Sequence, residues 1–298
     1  MRDKPLVSIV TPSYNQGRFI EDTILSVKNQ DYPNIEHIIV DGGSTDNTLE
    51  ILKKYEGTYN MRWISEPDEG QSDAVNKGFK MAKGEIIGWL NSDDVYFSRD
   101  VVSSIVEEFE KNPEVDVIYG DGVQIDEKNR IIRISKSPEW SYNRLCRMCF
   151  IIQPSVFFKR RVIDNDLLDT TLNYSMDYEF WLRLGQRYKF KCVNKILSGD
   201  RFHKKMKRIH KTAQRKETEK VISSYCRLVP ISVLSWISDQ IILGITKRIY
   251  GIYYILKIDS SNLTITFEID SRLAITNRTL DLPSILNFVG KLLKREFY

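Results

Sequence analysis

Cysteine is scarce in this chain, with 4 residues among 298. So few cysteines in a chain of this size predict no disulfide framework of the kind that holds small secreted domains together. Cys146 and Cys149 form a Cys-x-x-Cys pair, but no second pair follows at the spacing of a zinc finger. We therefore expect buried or half-buried thiols, with a metal or redox role as the alternative.

The chain also lacks a long uninterrupted apolar segment. The apolar run at residues 6–10 is shorter than the apolar region of a secretory signal peptide, which favours a cytoplasmic location. Residues 231–258 are rich in Ile, Leu, Trp and Tyr, but Asp239, Lys247 and Arg248 interrupt them and argue against a membrane span. This segment suits an amphipathic element on a membrane surface, a contact in a homo-oligomer, or packing against the rest of the chain.

Charge is distributed unevenly in a composition that is otherwise ordinary for a soluble globular protein. Residues 1–200 carry 26 basic and 32 acidic side chains, whereas residues 201–298 carry 18 and 8. The basic part is either a solvated helix face or a surface for anionic lipid or phosphate groups. We expect no nucleic-acid partner, because no recognised motif or aromatic platform accompanies the charge.

Apolar runs that end in polar loops alternate with helical patterns along the first half of the chain. Residues 6–10 lead into the loop 11–15, and apolar positions at helical spacing then predict a helix to about Gln30. Residues 35–40 repeat the theme before a loop with paired glycines and a second helix. This alternation predicts an α/β fold with a doubly wound, mostly parallel sheet and a ligand crevice over the strand ends.

An apolar strand predicted over residues 86–90 ends near two adjacent carboxylates, Asp93 and Asp94. Adjacent like charges need water, a cation or raised pKa values. The pair is therefore either a solvated turn or a site for a divalent cation that faces a substrate phosphate.

Two later segments carry further candidate residues. Residues 175–184 predict a helix with Asp177 in its first turn, where the helix dipole favours a carboxylate, so Asp177 is either a helix cap or a functional acid. Residues 150–158 are apolar except for a polar interruption at Gln153, Pro154 and Ser155, which indicates chain that passes a pocket.

Five motifs in this order resemble glycosyltransferase family 2, whose members are inverting enzymes of the GT-A fold that use sugar nucleotides. The motifs are VSIVTPSYN (7–15), VDGGSTDNT (40–48), SEPDEGQSDAVNKG (65–78), WLNSDD (89–94) and MDYEFWLR (176–183). The resemblance covers about residues 5–205. It implies a GT-A catalytic domain over residues 1–205, followed by a helical, partly amphipathic extension over residues 206–298 that contacts a membrane surface or an oligomer partner.

The resemblance implies roles for individual residues of these motifs. The implied contacts with the nucleotide sugar are Thr11, Pro12, Tyr14, Asp41, Asp73, Asn76, Lys77, Asn91, Ser92 and Asp94. The family's Asp-x-Asp signature falls on residues 91–93, so Asn91 replaces its first acid and Asp93 is the implied ligand of Mg²⁺ or Mn²⁺. His203, in a sequence that resembles an Arg-x-His motif, is a second candidate ligand, weighed against a surface histidine.

The catalytic aspartate of the family matches Asp177, although Met176 stands where the family usually has Glu. Gln153, Pro154 and Ser155 match a loop beside the acceptor. Displacing a nucleoside diphosphate from an anomeric carbon with inversion needs a base on the acceptor hydroxyl and a cation on the leaving phosphates. Asp177 and Asp93 can fill these two roles.

We therefore predict an inverting, metal-dependent glycosyltransferase that moves a hexose or N-acetylhexosamine to a hydroxyl of a growing surface glycan, free or lipid-linked. The expected donor is a UDP-sugar, and the expected location is the cytoplasm or the inner face of the membrane. One alternative is a catalytically silent sugar-nucleotide-binding or scaffold subunit, which the altered Asn91 and Met176 keep open. The other is a nucleotidyltransferase of similar fold, disfavoured because residues 11–16 lack a Gly-rich phosphate loop.

Overall fold

The predicted alternation of strands and helices is present in the computed structural model of the chain. The structure describes residues 4–204, 206, 211–226, 253–259, 264–270 and 278–280. Its strands are β1 (Val7–Ser13), β2 (Ile35–Asp41), β3 (Met61–Ser65), β4 (Ile86–Trp89), β5 (Val95–Tyr96), β6 (Val117–Ile125), β7 (Ile131–Ser135), β8 (Val156–Lys159), β9 (Phe190–Arg201), β10 (Tyr253–Asp259), β11 (Thr264–Asp270) and β12 (Arg278–Leu280). Its α-helices are α1 (Ile20–Lys28), α2 (Thr48–Tyr55), α3 (Gln71–Met81), α4 (Val101–Lys111), α5 (Tyr142–Leu145), α6 (Met176–Leu184) and α7 (Lys211–Tyr225).

Strands β1 to β4 form one parallel part of a large sheet. Strand order is β3-β2-β1-β4-β8-β6-β9-β5, and β7 pairs with β6 off this path. The pairs β3–β2, β2–β1 and β1–β4 are parallel, as is β6–β9. Strand β8 runs antiparallel to both β4 and β6, and β5 runs antiparallel to β9. The doubly wound, mostly parallel sheet is therefore confirmed.

Both faces of the sheet are covered, as the continuous apolar runs of its strands require. On β1, Val10 packs into one core cluster with residues of α3 and α6, whereas Ile9 packs into a second cluster with residues of α4. Helix α3 lies very close to β1, since a Cβ atom at Gly78 would be only 2.3 Å from Val10 Cγ1. This close packing directs the first turn of α3 toward the carboxyl ends of β1 and β4.

A disulfide corrects one expectation from the sequence. Cys146 is bonded to Cys226 across 80 residues of chain, so the prediction of a thiol at Cys146 is wrong. The sequence does not reveal Cys226 as the partner of Cys146, because the two come together only when α7 packs against α6. The bond joins the C-terminal end of α7 to the segment that follows α5.

Two units divide the chain, Met1–Arg227 and Leu228–Tyr298. Helix α7 belongs to the first unit, and the predicted domain boundary at residue 205 stays a prediction. In the second unit, β10, β11 and β12 form an antiparallel sheet in that order. The described extension is thus helical at α7 and contains strands farther along, whereas residues 231–252 of the predicted amphipathic segment lie outside the described residues. Across the ranges that the structure describes, no helix is long and apolar enough to cross a membrane.

His37 is a buried titratable group on β2. Its ring nitrogens lie 2.9 Å from Thr11 Oγ1 and 2.7 Å from the Tyr59 hydroxyl, and its side chain is fully buried. Burial lowers the pKa of His37 to about 3. The imidazole therefore stays neutral in the folded protein, whereas a histidine in the unfolded chain takes up a proton at about pH 6.5.

Replacing His37 with Gln should reduce the acid sensitivity of the fold. The stabilisation from a neutral His37 is complete above the unfolded pKa and is lost as the pH falls toward the folded pKa, because the unfolded chain binds the extra proton. Between pH 7 and pH 5 the wild type should lose about 2 kcal/mol more unfolding free energy than His37→Gln. Urea denaturation at a series of pH values measures this difference, and equal pH slopes in the two proteins would contradict it.

Candidate active site

A cleft of about 800 Å³ opens where the carboxyl ends of β1 and β4 meet the first turn of α6. The predicted site residues that line it are Pro12, Tyr14, Asn91, Ser92, Asp93, Asp94, Gln153, Pro154, Asp177 and His203. Parallel strands that end at one edge of a sheet bring their following loops together. The fold therefore gathers side chains that are up to 191 residues apart in the sequence into one cavity.

The other predicted site residues do not line this cleft; they are Thr11, Asp41, Asp73, Asn76, Lys77 and Ser155. Thr11 is buried against His37. Asn76 uses its side-chain amide to hold the backbone of Leu168, accepting from its N–H and donating to its carbonyl, both at 2.9 Å. Ser155 donates to the carbonyl of Asp121. These polar groups support the loops around the cleft.

Acidic residues of the second and third motifs are likewise engaged with their own loops. The buried Asp41 carboxylate accepts from the N–H groups of Gly43 and Ser44 at 3.1 and 2.8 Å and from the Ser65 hydroxyl at 2.7 Å. Asp73 lies 3.2 Å from the Lys77 ammonium, which also lies 2.9 Å from Glu66. The hydrogen bond from Lys77 to Glu66 raises the pKa of Lys77, which keeps this lysine charged.

Asn91 forms four side-chain hydrogen bonds at the end of β4. Its Oδ1 accepts from Trp89 Nε1 at 3.0 Å and from Gln71 Nε2 at 2.9 Å. Its Nδ2 donates to Asp94 Oδ2 at 3.2 Å and to Gln153 Oε1 at 2.8 Å. Two of these partners donate and two accept, and only a side-chain amide offers two N–H donors together with an oxygen that accepts twice, so the four bonds together require an amide at position 91. Asn91 replaces the first acid of the usual Asp-x-Asp signature, and its neighbours in this chain are placed to bond to an amide rather than to a carboxylate.

Arg201, the last residue of β9, holds the turn at residues 91–94, and its side chain is almost completely buried. Its Nε donates to the backbone carbonyl of Asp93 at 2.7 Å, and its backbone N–H donates to Asp94 Oδ1 at 2.9 Å. Its guanidinium lies 3.1 Å from Asp22 and 4.9 Å from the ring centroid of Phe19. A buried cation needs such partners, since leaving it uncompensated costs several kcal/mol.

The carboxylate of Asp93 lies in the cleft beside His203. Its Oδ2 is 2.9 Å from His203 Nε2, and the side chains are 21% and 5% exposed, respectively. Carboxylate and imidazole are both ligands for divalent metals. Among the described residues no group of three or more His, Cys, Asp or Glu side chains is placed to hold a metal ion.

Helix α6 brings Asp177 to the cleft from the opposite direction. Asp177 is half-buried in the first turn of the helix, and its Oδ1 accepts from the Tyr178 N–H at 2.8 Å. The N-terminal end of a helix carries partial positive charge, which favours the ionised carboxylate. Met176 is buried, and its sulfur accepts from the Ser72 hydroxyl at 3.1 Å. The residue that replaces the family's usual Glu thus packs α6 against the start of α3.

Ser13, Gln71 and Arg201 are cleft residues that sequence reasoning did not single out. The buried Ser13 hydroxyl has no hydrogen-bond partner within the described part of the chain. A buried hydroxyl that lines a cavity without a partner is available to a bound ligand. In the sequence, only its place between Pro12 and Tyr14 in the first motif indicated that Ser13 lies in the cleft.

The sequence is similar to a protein family and to curated proteins. The model of glycosyl transferase family 2 matches residues 8–168. Chondroitin synthase from Pasteurella multocida is 32% identical over 203 residues, which cover 66% of this chain and 21% of that protein. Chondroitin synthase from Escherichia coli is 30% identical over 215 residues, covering 72% and 31%. The chain therefore spans only about a fifth to a third of the length of these relatives.

Solved structures share the architecture at low sequence identity. TarS from S. aureus in complex with UDP-GlcNAc has a TM-score of 0.57 and 21% identity, and the match covers 67% of this chain and 60% of that one. A mannosyltransferase from Pyrobaculum calidifontis in complex with GDP-Man and Mn²⁺ has a TM-score of 0.60 and 19% identity, covering 77% and 67%. These likenesses concern the fold, and they confirm the predicted GT-A architecture.

The Asn91→Asp variant, which restores the acid of the usual signature, should be less stable than the wild type. An ionised carboxylate cannot donate to Asp94 and Gln153, and it places a second negative charge beside Asp94. We expect the unfolding free energy at neutral pH to fall by roughly 2–3 kcal/mol, measured by urea denaturation.

A matched control for this variant is Asn60→Asp. Asn60 is exposed and donates one hydrogen bond to the Ile35 carbonyl, so the same chemical change should have a small effect there. An Asn91→Asp protein as stable as the control would show that the amide network does not hold the turn.

Proposed function

This chain belongs to glycosyl transferase family 2, and from that premise we propose that it transfers a hexose or N-acetylhexosamine from a nucleotide sugar to an acceptor hydroxyl with inversion. The observation that carries the proposal is the shared cleft of Asp93 and Asp177, which lie 84 residues apart in the sequence. The Asp93 carboxylate has an imidazole neighbour, and the Asp177 carboxylate lies at a helix N-terminus. Such a pair suits a reaction in which one group stabilises the departing diphosphate and a different group takes the proton of the acceptor hydroxyl.

The proposed nucleotide-binding segment is the end of β1 and the residue that follows it. Pro12, Ser13 and Tyr14 line the cleft there, and the Tyr14 ring is 59% exposed, which leaves its face accessible for stacking on a base. Thr11, Asp41, Asp73, Asn76 and Lys77 act in this proposal by ordering the loops that surround the nucleotide. A UDP-sugar is the proposed donor, in line with the UDP-GlcNAc bound by TarS, although the mannosyltransferase binds GDP-Man.

A divalent cation, Mn²⁺ or Mg²⁺, is the proposed cofactor. Asp93 and His203 would hold it, and their side-by-side carboxylate and imidazole suit such an ion. Two protein ligands are few for a resident metal, but Mg²⁺ sites commonly combine one or two carboxylates with substrate phosphates. The cation supplies charge stabilisation to the departing diphosphate when it is bound.

In the proposed reaction Asp177 is the general base. Its ionised carboxylate takes the proton of the acceptor hydroxyl as the acceptor oxygen forms a bond to the anomeric carbon. The bond between that carbon and the diphosphate oxygen breaks, and the electron pair leaves with the nucleoside diphosphate. Attack from the face opposite the leaving group inverts the anomeric configuration. Gln153 and Pro154 line the cleft and are assigned to the acceptor side in this proposal, and Ser155 supports their loop by donating to the Asp121 carbonyl.

The acceptor proposed here is a hydroxyl of a growing surface glycan, free or lipid-linked. The proposal keeps a catalytic domain at residues 1–205 and assigns to residues 206–298 a contact with an anionic membrane surface on the cytoplasmic side or with a second copy of the chain. Much of that extension lies outside the described residues. The net positive charge of residues 201–298 supports the membrane contact.

Isosteric substitutions separate the roles of the two acids. Asp177→Asn should retain donor binding but reduce sugar transfer by about 100-fold or more, because the amide cannot accept the acceptor proton. Asp93→Asn should weaken donor binding chiefly in the presence of Mn²⁺, since it removes a charged ligand. Transfer assays and calorimetry with the full chain measure both effects, and Asp164→Asn, at an exposed ion pair, is the matched control. Full transfer by Asp177→Asn would refute its role.

A thermal-shift screen of nucleotide sugars, with and without Mn²⁺, tests the donor. A ligand that binds only the folded state at about 100 times its Kd adds about 2.7 kcal/mol to the stability. We expect UDP-sugars to stabilise the chain more than GDP-mannose does. UDP binding without transfer to any acceptor would instead support the alternative of a catalytically silent subunit.

A further inference from the structure

Three consecutive backbone N–H groups just before α6 converge on the carboxylate of Glu217. The N–H groups of Tyr174 and Ser175 donate to Oε1 at 2.7 and 2.6 Å, and that of Asn173 donates to Oε2 at 3.1 Å. Successive amides that point into one concavity form an anion-binding nest, and the positive end of the helix dipole adds to it. In this chain the anion is a side chain of α7, 42 to 44 residues farther along.

Ser175, the residue before α6, is bonded to α7 through its side chain as well as its backbone. It occupies the N-cap position, yet its side chain caps no N–H group of the helix. Its hydroxyl instead lies 2.7 Å from Thr218 Oγ1, next to Glu217 on α7. Glu217 and Thr218 of α7 therefore hold the N–H groups and the hydroxyl of the residues that lead into α6.

The remainder of α7 is also attached to the surroundings of α6. The Tyr225 hydroxyl donates to the Glu179 carboxylate, one turn into α6. Cys226 is bonded to Cys146, which precedes the cleft residues Arg147 and Met148. These attachments link a displacement of α7 to the start of α6, because close-packed protein interiors have low compressibility and transmit strain.

We propose that Glu217 is a positioning residue for Asp177, acting through the backbone nest at residues 173–175 that sets where α6 begins. Asp177 lies only two residues after Ser175, so a displacement of the nest moves the carboxylate relative to the acceptor hydroxyl. Positioning errors of about 1 Å can reduce a rate by roughly 100-fold. This inference rests on the proposed role of Asp177 as the base and adds a residue that lies outside the region 8–168 matched by the family.

The test compares Glu217→Ala and Glu217→Gln with Glu219→Gln in the full chain. Alanine removes all three hydrogen bonds, whereas glutamine keeps an acceptor for Tyr174 and Ser175 but turns an NH₂ group toward Asn173. Glu219 is exposed on the same helix, where it pairs with Arg215 at 2.7 Å, so it controls for the loss of one negative charge from α7.

We expect kcat to fall by roughly 10- to 100-fold in Glu217→Ala and by a smaller factor in Glu217→Gln, with the donor KM nearly unchanged. Glu219→Gln should retain the wild-type kcat. A residue with a merely structural role would lower the folded fraction or the melting temperature and leave the kcat of the folded protein unaltered. Wild-type kcat in folded Glu217→Ala would therefore overturn the proposal.

Hydrogen exchange at residues 173–177 gives a second measurement that does not depend on activity. The amides of Tyr174 and Ser175 should exchange faster in Glu217→Ala than in the wild type or in Glu219→Gln, because their acceptor is gone. Unchanged exchange would overturn the nest contact itself. If the wild-type chain transfers no sugar, the proposed function fails, and the exchange measurement alone still decides whether Glu217 holds the start of α6.

Discussion

The side-chain amide of Asn91 is the junction on which the geometry of the cleft depends. It has two donor and two acceptor positions, and all four are used by partners from β4, α3, the turn at residues 91–94 and the loop at Gln153. Only a side-chain amide combines two N–H donors with an oxygen that accepts twice, so it alone satisfies all four partners. The side chain that looked like a departure from a metal-binding signature therefore acts as a structural connection among the segments that line the cleft.

Arg201 complements this junction from the end of β9. Its guanidinium and backbone N–H hold Asp93 and Asp94, while Asp22 and the ring of Phe19 offset the cost of burying the charge. With Asp94 buried and bonded on both sides, the backbone of the turn is held in place. The Asp93 carboxylate then remains in the cleft beside His203, partly exposed. Asp94 is thus bonded to Asn91 and to the Arg201 backbone, whereas Asp93 lies beside His203, so the two adjacent carboxylates have separate partners.

One side of the cleft is built from chain beyond the region that the family match covers. The match ends at residue 168, whereas Asp177, His203 and the helix that supports Asp177 all follow it. Helix α7 supplies a charge to the amides before α6, a hydroxyl to Ser175 and a disulfide to the segment after α5. The start of the C-terminal extension is in this way part of the framework of the candidate site.

Hydrophobic periodicity was sufficient to predict the α/β class, the strands β1 to β4 and the helices between them, because it is a local property of each segment. The order of the motifs predicted the family and a single cavity that contains Asp93 and Asp177. The positions of β8 between β4 and β6 and of β9 between β6 and β5, the bond between Cys146 and Cys226 and the nest at Glu217 were decided only by the tertiary structure. So was the direction of each motif side chain: Asn76 faces Leu168 and Asn91 faces Gln153, at sequence separations of 92 and 62 residues. A polar side chain bonds to whichever partners packing brings within about 3 Å, and those distances arise only when the chain is folded.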